Sequence, residues 1–197
     1  VFYEDFSSGS IPSSFTLHDE DGNTPASQVS YVTSAWVGNP NILDSTDYTA
    51  VSTSYYNPTD TADDWLVTPK ITIPTGGKLS WKAIAYDSNY PDGYEVLIST
   101  TDSAVSSFNT VLFSVGAEKS KWTSHTESLS AYAGQDVFIA FRNNSANKFL
   151  LAVDDIEVFQ PDPYEIGVTS ISKPNNDTGC TQTANEDVSV TIENFGA

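Results

Sequence analysis

The chain has 197 residues, of which 39% are hydrophobic and 12% aromatic, enough for one sizeable domain or a domain plus a fragment. Twenty-six Asp and Glu stand against eight Lys and Arg, giving a formal net charge of −18. That field repels DNA and RNA and so excludes a nucleic-acid role; it suits a solvated surface, or a secreted protein that meets millimolar calcium.

Period-2 alternation dominates the pattern. In chain order, "VFYEDF" (1–6), "QVSYVTS" (28–34) and "YTAVSTSYY" (48–56) read as strands. "KLSWKAIAY" (78–86) sets Leu79, Trp81, Ala83 and Ala85 on one face and Lys78, Ser80 and Lys82 on the other, the clearest strand of the chain. "GYEVLIST" (93–100) follows; "DSAVSSFNTVL" (102–112) is the one segment suited to a short helix, with Asp102 or Ser103 as its N-cap. "WTSHTESL" (122–129), "QDVFIAFRN" (135–143) and "FLLAVDDIEVF" (149–159) complete the strands, and the second of these is apolar on both faces and therefore central. Turn signals separate them at Thr75-Gly76-Gly77, Pro91-Asp92-Gly93 and Ala133-Gly134-Gln135. Many strands and hardly any helix mean an all-β sandwich of the jelly-roll kind over residues 1–160.

Gln160-Pro161-Asp162-Pro163 marks a linker, because two prolines in four residues stop a strand. Beyond it, "YEIGVTSIS" and "EDVSVTIENFG" read as two strands of a second β-domain, too short to bury a core of its own. We read 161–197 as linker plus the first strands of a truncated immunoglobulin-like domain. Cys180 is the only cysteine, so no disulfide framework exists within the chain. The sequence has no Met and no long apolar run, and the expectation is a soluble piece of a larger polypeptide with no membrane insertion. Asn143-Asn144-Ser145 and Asn176-Asp177-Thr178 fit the glycosylation pattern, which is frequent by chance and idle in most bacteria.

Catalytic signatures are missing. The two histidines, His18 and His125, belong to no His-Glu-x-x-His, and no Gly-x-Ser-x-Gly elbow occurs. Carboxylate pairs for glycoside hydrolysis depend on spatial spacing, which a sequence does not show. The expectation is a non-enzymatic chain.

Two acidic constellations invite a cation. In "HDEDGNT" (18–24), Asp19, Asp21 and Asn23 alternate as the first three ligands of an EF-hand do, but Thr24 stands where that loop needs Gly and Ser30 where it needs Glu. Two readings stay open: a shorter calcium loop completed from elsewhere, or a polar turn with Gly22 at positive φ. In "LLAVDDIEV", alternation places Asp154 among Leu150, Ala152, Ile156 and Val158, and Asp155 among Leu151, Val153, Glu157 and Phe159. Both faces are largely apolar, so at least one aspartate is buried, at a cost of roughly several kcal/mol if unpaired. A metal or backbone N–H groups are the expected compensation, since basic residues are few. Adjacent first and last strands would bring Glu4 close to this pair; otherwise Glu4 caps a turn or faces solvent.

Aromatics form the third constellation. Tyr86 and Tyr90 flank Asp87 and Asp92, and Trp36 lies in another polar stretch; these five form the expected ligand-binding surface, since flat rings give contact area at low entropy cost. Tyr94, Trp65, Trp81 and Trp122 are expected in the core.

The order "YEDF…IPSSFTLHDEDGN", "DDWLVTPKI", "AIAYDSNYPDGYEVLIST", "FNTVLFSV", "WTSHTESLSAYAGQDVFIAFRN" and "LLAVDDIEV" resembles the cleaved adhesin, or choice-of-anchor J, family. The resemblance covers about residues 1–160, with Trp-Leu-Val-Thr-Pro and Val-Asp-Asp-Ile its most specific parts. It extends to the haemagglutinin/adhesin repeats attached to gingipain proteases. The resemblance implies a jelly roll with structural calcium on secreted or surface proteins of Bacteroidetes-type bacteria, ligated here through Asp19, Asp21, Asp154 and Asp155, and no catalytic residues. It implies adhesion to a host protein or glycan beside other domains of the same polypeptide; a carbohydrate-binding accessory module or a structural spacer is the alternative. Family members often carry "DADGDG" followed soon by Trp; here Glu20 and Asn23 replace two of those residues and the nearest Trp is Trp36.

Overall fold

The computed structural model describes residues 1–162, 166–173 and 188–194. The chain divides into two units, 1–159 and 160–197. Among the described residues, no helix is long and apolar enough to cross a membrane.

Unit 1 is a jelly-roll β-sandwich of twelve strands: β1 (Phe2–Glu4), β2 (Thr16–Asp19), β3 (Val37–Asn41), β4 (Asp44–Thr53), β5 (Asp64–Val67), β6 (Ile71–Thr72), β7 (Lys78–Ala85), β8 (Tyr94–Ser99), β9 (Thr110–Val115), β10 (Thr123–Ser128), β11 (Asp136–Asn143) and β12 (Leu150–Phe159). One antiparallel sheet runs β10-β7-β12-β4-β3, with β1 also on β12; the other runs β2-β5-β11-β8-β9, with β6 also on β11. The chain passes repeatedly from one sheet to the other, so each sheet is built mostly from non-local pairs, with one pair of consecutive strands in each, β3–β4 and β8–β9. β11 is central, as its two apolar faces require.

Between the sheets lies the main core, including Phe6, Trp36, Leu66, Leu79, Trp81, Tyr94, Phe141, Leu151 and Val158. The alternation of β7 is realised: Leu79, Trp81, Ala83 and Ala85 are buried. The Trp81 indole donates to Tyr94 Oη (2.8 Å), and His125 stacks on Trp81 while its Nε2 meets the buried Glu118 carboxylate at 2.8 Å. These polar atoms are satisfied inside the core, which rings of this size require. Trp65 is buried as expected, but on the outer face of its sheet, packed with Val67, Leu97 and Phe108; Trp122 is only half-buried.

Three local expectations need correction. Residues 28–34 are not a strand: a 3-10 turn at Ser27–Val29 presents Val29 and Val32 to a patch of Val51, Ile84, Leu150 and Ala152. A spacing of three suits a turn and exposes Tyr31, whereas strand alternation would have buried it. The helix expected in 102–112 shrinks to a 3-10 turn, Val105–Ser107, and from Thr110 the chain enters β9. Asp102 Oδ1 accepts from Ala104 N and Ser107 Oγ, so it braces the turn without being its N-cap. Finally, β12 does not keep one parity. Asp154 pairs with Lys82 but Glu157 with Ser80, so one extra residue sits on β12. Asp155 takes φ +48° there, in the left-handed region. The bulge swaps faces: Leu151 and Val153, then Ile156 and Val158, point into the main core.

Unit 2 contains β13 (Ile166–Lys173) paired antiparallel with β14 (Ser189–Asn194). Ile166, Val168, Ile171, Val190 and Ile192 are exposed on it. Cys180 and Asn176 lie outside the described residues.

Gly93 follows the Pro91-Asp92 turn where a Cβ would sit 2.3 Å from the carbonyl oxygen of Val115. Its amide and carbonyl are both held by Ser145 Oγ (2.7 and 3.0 Å). Gly93→Ala is therefore expected to lower unfolding free energy by about 2 kcal/mol or more, measured by urea denaturation, because backbone must move.

Candidate functional site

β2 pairs with β5 in a register that sets Asp19 opposite Asp64. Like charges directly opposite on a sheet repel. The turn that follows β2 folds back, with Gly22 at φ +63°, and adds Asp21. Oxygens of Asp19, Asp21 and Asp64 all lie within 4.8 Å of one another, the one such acidic group of three among the described residues. They line a cavity of about 70 Å³ together with Asn23, Thr53 and Tyr56.

Asp64 is 4% exposed, and burial, reinforced by the charges of Asp21 and Asp19, pushes its carboxyl up to about 8. Its one side-chain donor among the described residues is Tyr56 Oη (2.7 Å), whose own ionisation is pushed up by burial and by Asp64. The next residue back shows the contrast. Asp63 accepts from Arg142 Nε and Trp65 Nε1, both at 2.7 Å, and the guanidinium lies over the Trp65 ring at 4.9 Å. So Asp63 is paired to a cation and, among the described residues, Asp64 is not. The donor set is all hard oxygen, including carboxylates of two strands and a turn, and the cavity has room for an ion with its water. It fits a divalent cation of the calcium type.

Asp19 and Asp21 are brought together as expected, and Asn23 joins through the cavity wall, its Nδ2 donating to the Thr61 carbonyl. Glu4 is not in the cluster. β1 does lie against β12, with Glu4 opposite Ile156, yet its carboxylate accepts from Phe6 N (2.8 Å) and closes its own turn. Asp154 and Asp155 are elsewhere too. Asp155 accepts from Lys82 Nζ (2.6 Å) and Tyr3 Oη (2.7 Å), so a basic side chain offsets its charge. Asp154 is buried, accepts from Asp155 N (2.7 Å), and is pushed up to about 7, chiefly by burial. With Asp5, Asp44 and Asp47 these two line an open groove on the outer face of their sheet.

The expected ligand surface separates into four places. Trp36 is 1% exposed in the core, and its indole donates to the Asp64 carbonyl (3.2 Å), so it braces the acidic cluster. Tyr86 is half-buried against Trp122 and donates to Asn41 Oδ1 (3.2 Å). Asp92 is fully buried: it accepts from Ser54 Oγ (2.6 Å), Phe149 N (3.0 Å) and Asn143 Nδ2 (3.3 Å). Asn143 is buried with it, which removes that triplet as a glycan acceptor. Only Asp87 and Tyr90 remain at a surface recess, a groove of about 370 Å³ shared with Tyr55, Asn147, Lys148 and Phe149.

Asp64 was missed as a ligand although it stands in the "DDWLVTP" stretch. All four residues of β5 are buried, so no alternation marked which aspartate points inward.

With this fold and site in place, the class is defined: residues 1–158 match the Cleaved Adhesin Domain, and the chain belongs to that family. Hemagglutinin A of Porphyromonas gingivalis is 30% identical over 185 residues, covering 80% of this chain and 7% of that protein. The K1 cleaved adhesin domain of Lys-gingipain from P. gingivalis W83 superposes with a TM-score of 0.63 at 25% identity, over 80% of this chain and 96% of that one. Its K3 domain gives 0.61 at 28%, with the same coverages. The chain thus spans a small part of the full-length relative and nearly all of each solved adhesin domain.

Burial pushes the Asp92 carboxyl up to about 6, from 3.8, against the lowering effect of its donors. The folded form therefore holds this proton more tightly, so the Asp92 contribution to stability is lost as pH rises from about 4 to about 6 and is level above that. Asp92→Asn is expected to remove up to about 3 kcal/mol of that slope relative to wild type, read from urea midpoints at pH 4, 5, 6 and 7.

Proposed function

We propose that this chain is a non-catalytic, extracellular adhesion module that binds a host protein or glycan, with a calcium ion pinning the loops at one end of its sandwich. The observation that carries the cation is Asp64: a buried carboxylate opposite Asp19, beside Asp21, with a tyrosine hydroxyl as donor and, among the described residues, no basic side chain bonded to it. A bound divalent cation supplies the positive charge that the cluster lacks. Asp19, Asp21 and Asp64 would hold it, with Asn23 at the wall. Once those charges are offset, the turn 19–23 is held against β5.

The adhesion reading rests on family membership and on the solvent-facing aromatic groove at Tyr90, which is 54% exposed. The non-catalytic reading is supported by the histidines: His18 Nε2 meets the Ser103 carbonyl and His125 Nε2 meets Glu118, so each ring is committed to a structural partner. We read β13–β14 as an immunoglobulin-like element, and neighbouring domains of the same polypeptide as further partners.

Millimolar calcium is expected to raise Tm by several degrees over EDTA, because a ligand at 100 times its Kd adds about 2.7 kcal/mol. Asp64→Asn is expected to abolish that shift and to be at least as stable as wild type in EDTA, since the repulsion across β2–β5 is gone. Identical melting in calcium and EDTA would remove the cation from the proposal. Adhesion is tested separately: beads carrying the chain are expected to capture red blood cells, the target implied by the relative's name, or matrix-coated plates. Capture no better than albumin-coated beads on either surface overturns the adhesion reading.

A further inference from the structure

We propose that the groove formed by Tyr55, Asp87, Tyr90, Asn147, Lys148 and Phe149 is a saccharide site that takes a neutral pyranose residue; the inference rests on the ligand-binding reading above and names its ligand class. The groove's volume, about 370 Å³, lies within the range of small-ligand clefts. Tyr55 and Phe149 form its apolar part, their ring centroids 6.4 Å apart and tilted by 56°, and Tyr90 stands more than half exposed at the rim. Ring faces held in water on one side invite a partner with flat C–H surfaces.

The polar lining selects what kind of partner. Asp87 offers only acceptors, Lys148 only donors, and Asn147 both. One acid and one base leave the recess locally neutral within a chain of net charge −18. An anionic ligand meets that overall field; a basic peptide side chain meets Lys148 inside the groove. A ring of hydroxyls, each both donor and acceptor, matches all three groups without bringing a charge.

The recess is also built to hold its shape. The buried Asp92 carboxylate ties both walls together, accepting from Ser54 Oγ on one and Phe149 N on the other. Ser54 in turn accepts from the backbone N–H of Lys148 through Oγ (3.2 Å) and of Asn147 through its carbonyl (3.1 Å), which holds Asn147 at φ +52°. Phe149 N also reaches the Tyr90 carbonyl (3.2 Å), and the Asp87–Tyr90 turn is closed by Asn89 N on Asp87 Oδ1 (2.8 Å). A buried carboxylate with N–H and O–H partners and, among the described residues, no ion pair in contact, is thereby explained: it fixes a groove. Preorganisation of this kind lowers the entropic cost of binding a small polar ligand.

The test is an NMR titration of the ¹⁵N-labelled chain with the methyl glycosides of glucose, galactose and mannose, and separately with a capped lysine-containing tripeptide. At least one glycoside is expected to shift the amides of Tyr55, Tyr90 and Asn147–Phe149 at millimolar concentration. Tyr90→Ala and Asp87→Asn are each expected to weaken that binding about tenfold while leaving the rest of the amide spectrum unchanged. Two variants are used because one removes a ring and the other an acceptor. The proposal is overturned if no glycoside shifts these amides, if the shifts fall elsewhere, or if both variants bind as wild type. Shifts with the tripeptide alone overturn the saccharide class, while the bead assay still reads the adhesion function independently.

Discussion

A shortage of cations governs this molecule. Twenty-six acidic side chains share eight basic ones. Four carboxylates, Glu118 beside His125 and the aspartates Asp64, Asp92 and Asp154, are nevertheless buried in the sandwich or at its loops. Each would cost several kcal/mol if left uncompensated, roughly, and each is compensated differently. Asp92 is surrounded by hydroxyl, amide and backbone donors. Asp154 takes a backbone N–H at a bulge whose second aspartate is paired with Lys82. Asp64 has a tyrosine hydroxyl and two acidic neighbours, which is the arrangement that favours a hard cation.

These solutions shape the loops around the candidate sites. The tetrapeptide Thr53–Tyr56 leaves the end of β4 and serves two of them. Thr53 accepts the Tyr55 amide and donates to the Phe149 carbonyl; Ser54 reaches Asp92. Tyr55 faces the aromatic groove, and Tyr56 donates into the acidic cluster. The turn after β2 is attached to the same segment, through Ala26 N on the Tyr55 carbonyl and Asn57 N on the Thr24 carbonyl. One short stretch therefore forms a wall common to the acidic cavity and the groove.

Much of the fold was legible because alternation survives wherever a strand has one apolar face. β7, with Trp81 and Leu79 inward and Lys82 outward, is the plainest case. Legibility failed where a physical device other than alternation decided the outcome. Val29 and Val32 pack through a turn, and β5 is buried on both faces. The extra residue at Asp155 reverses the parity of β12, so Asp154 and Asp155 could not be assigned to faces by counting. Trp36 and Asp92 look like loop residues in the sequence; their neighbours in three dimensions, the core and the Ser54–Asn143 donors, come from distant strands.

By itself, the sequence determined an all-β sandwich, the acidic turn with Gly22 at positive φ, and the family. Periodicity, turn chemistry and residue order are local and survive in one dimension. Only the tertiary structure decided which carboxylates meet. The β2–β5 register put Asp64 opposite Asp19, while Asp155 met Lys82 and Tyr3 and Glu4 closed its own turn. Electrostatic compensation depends on distances between side chains far apart in the chain, and those distances exist only once the strands have paired.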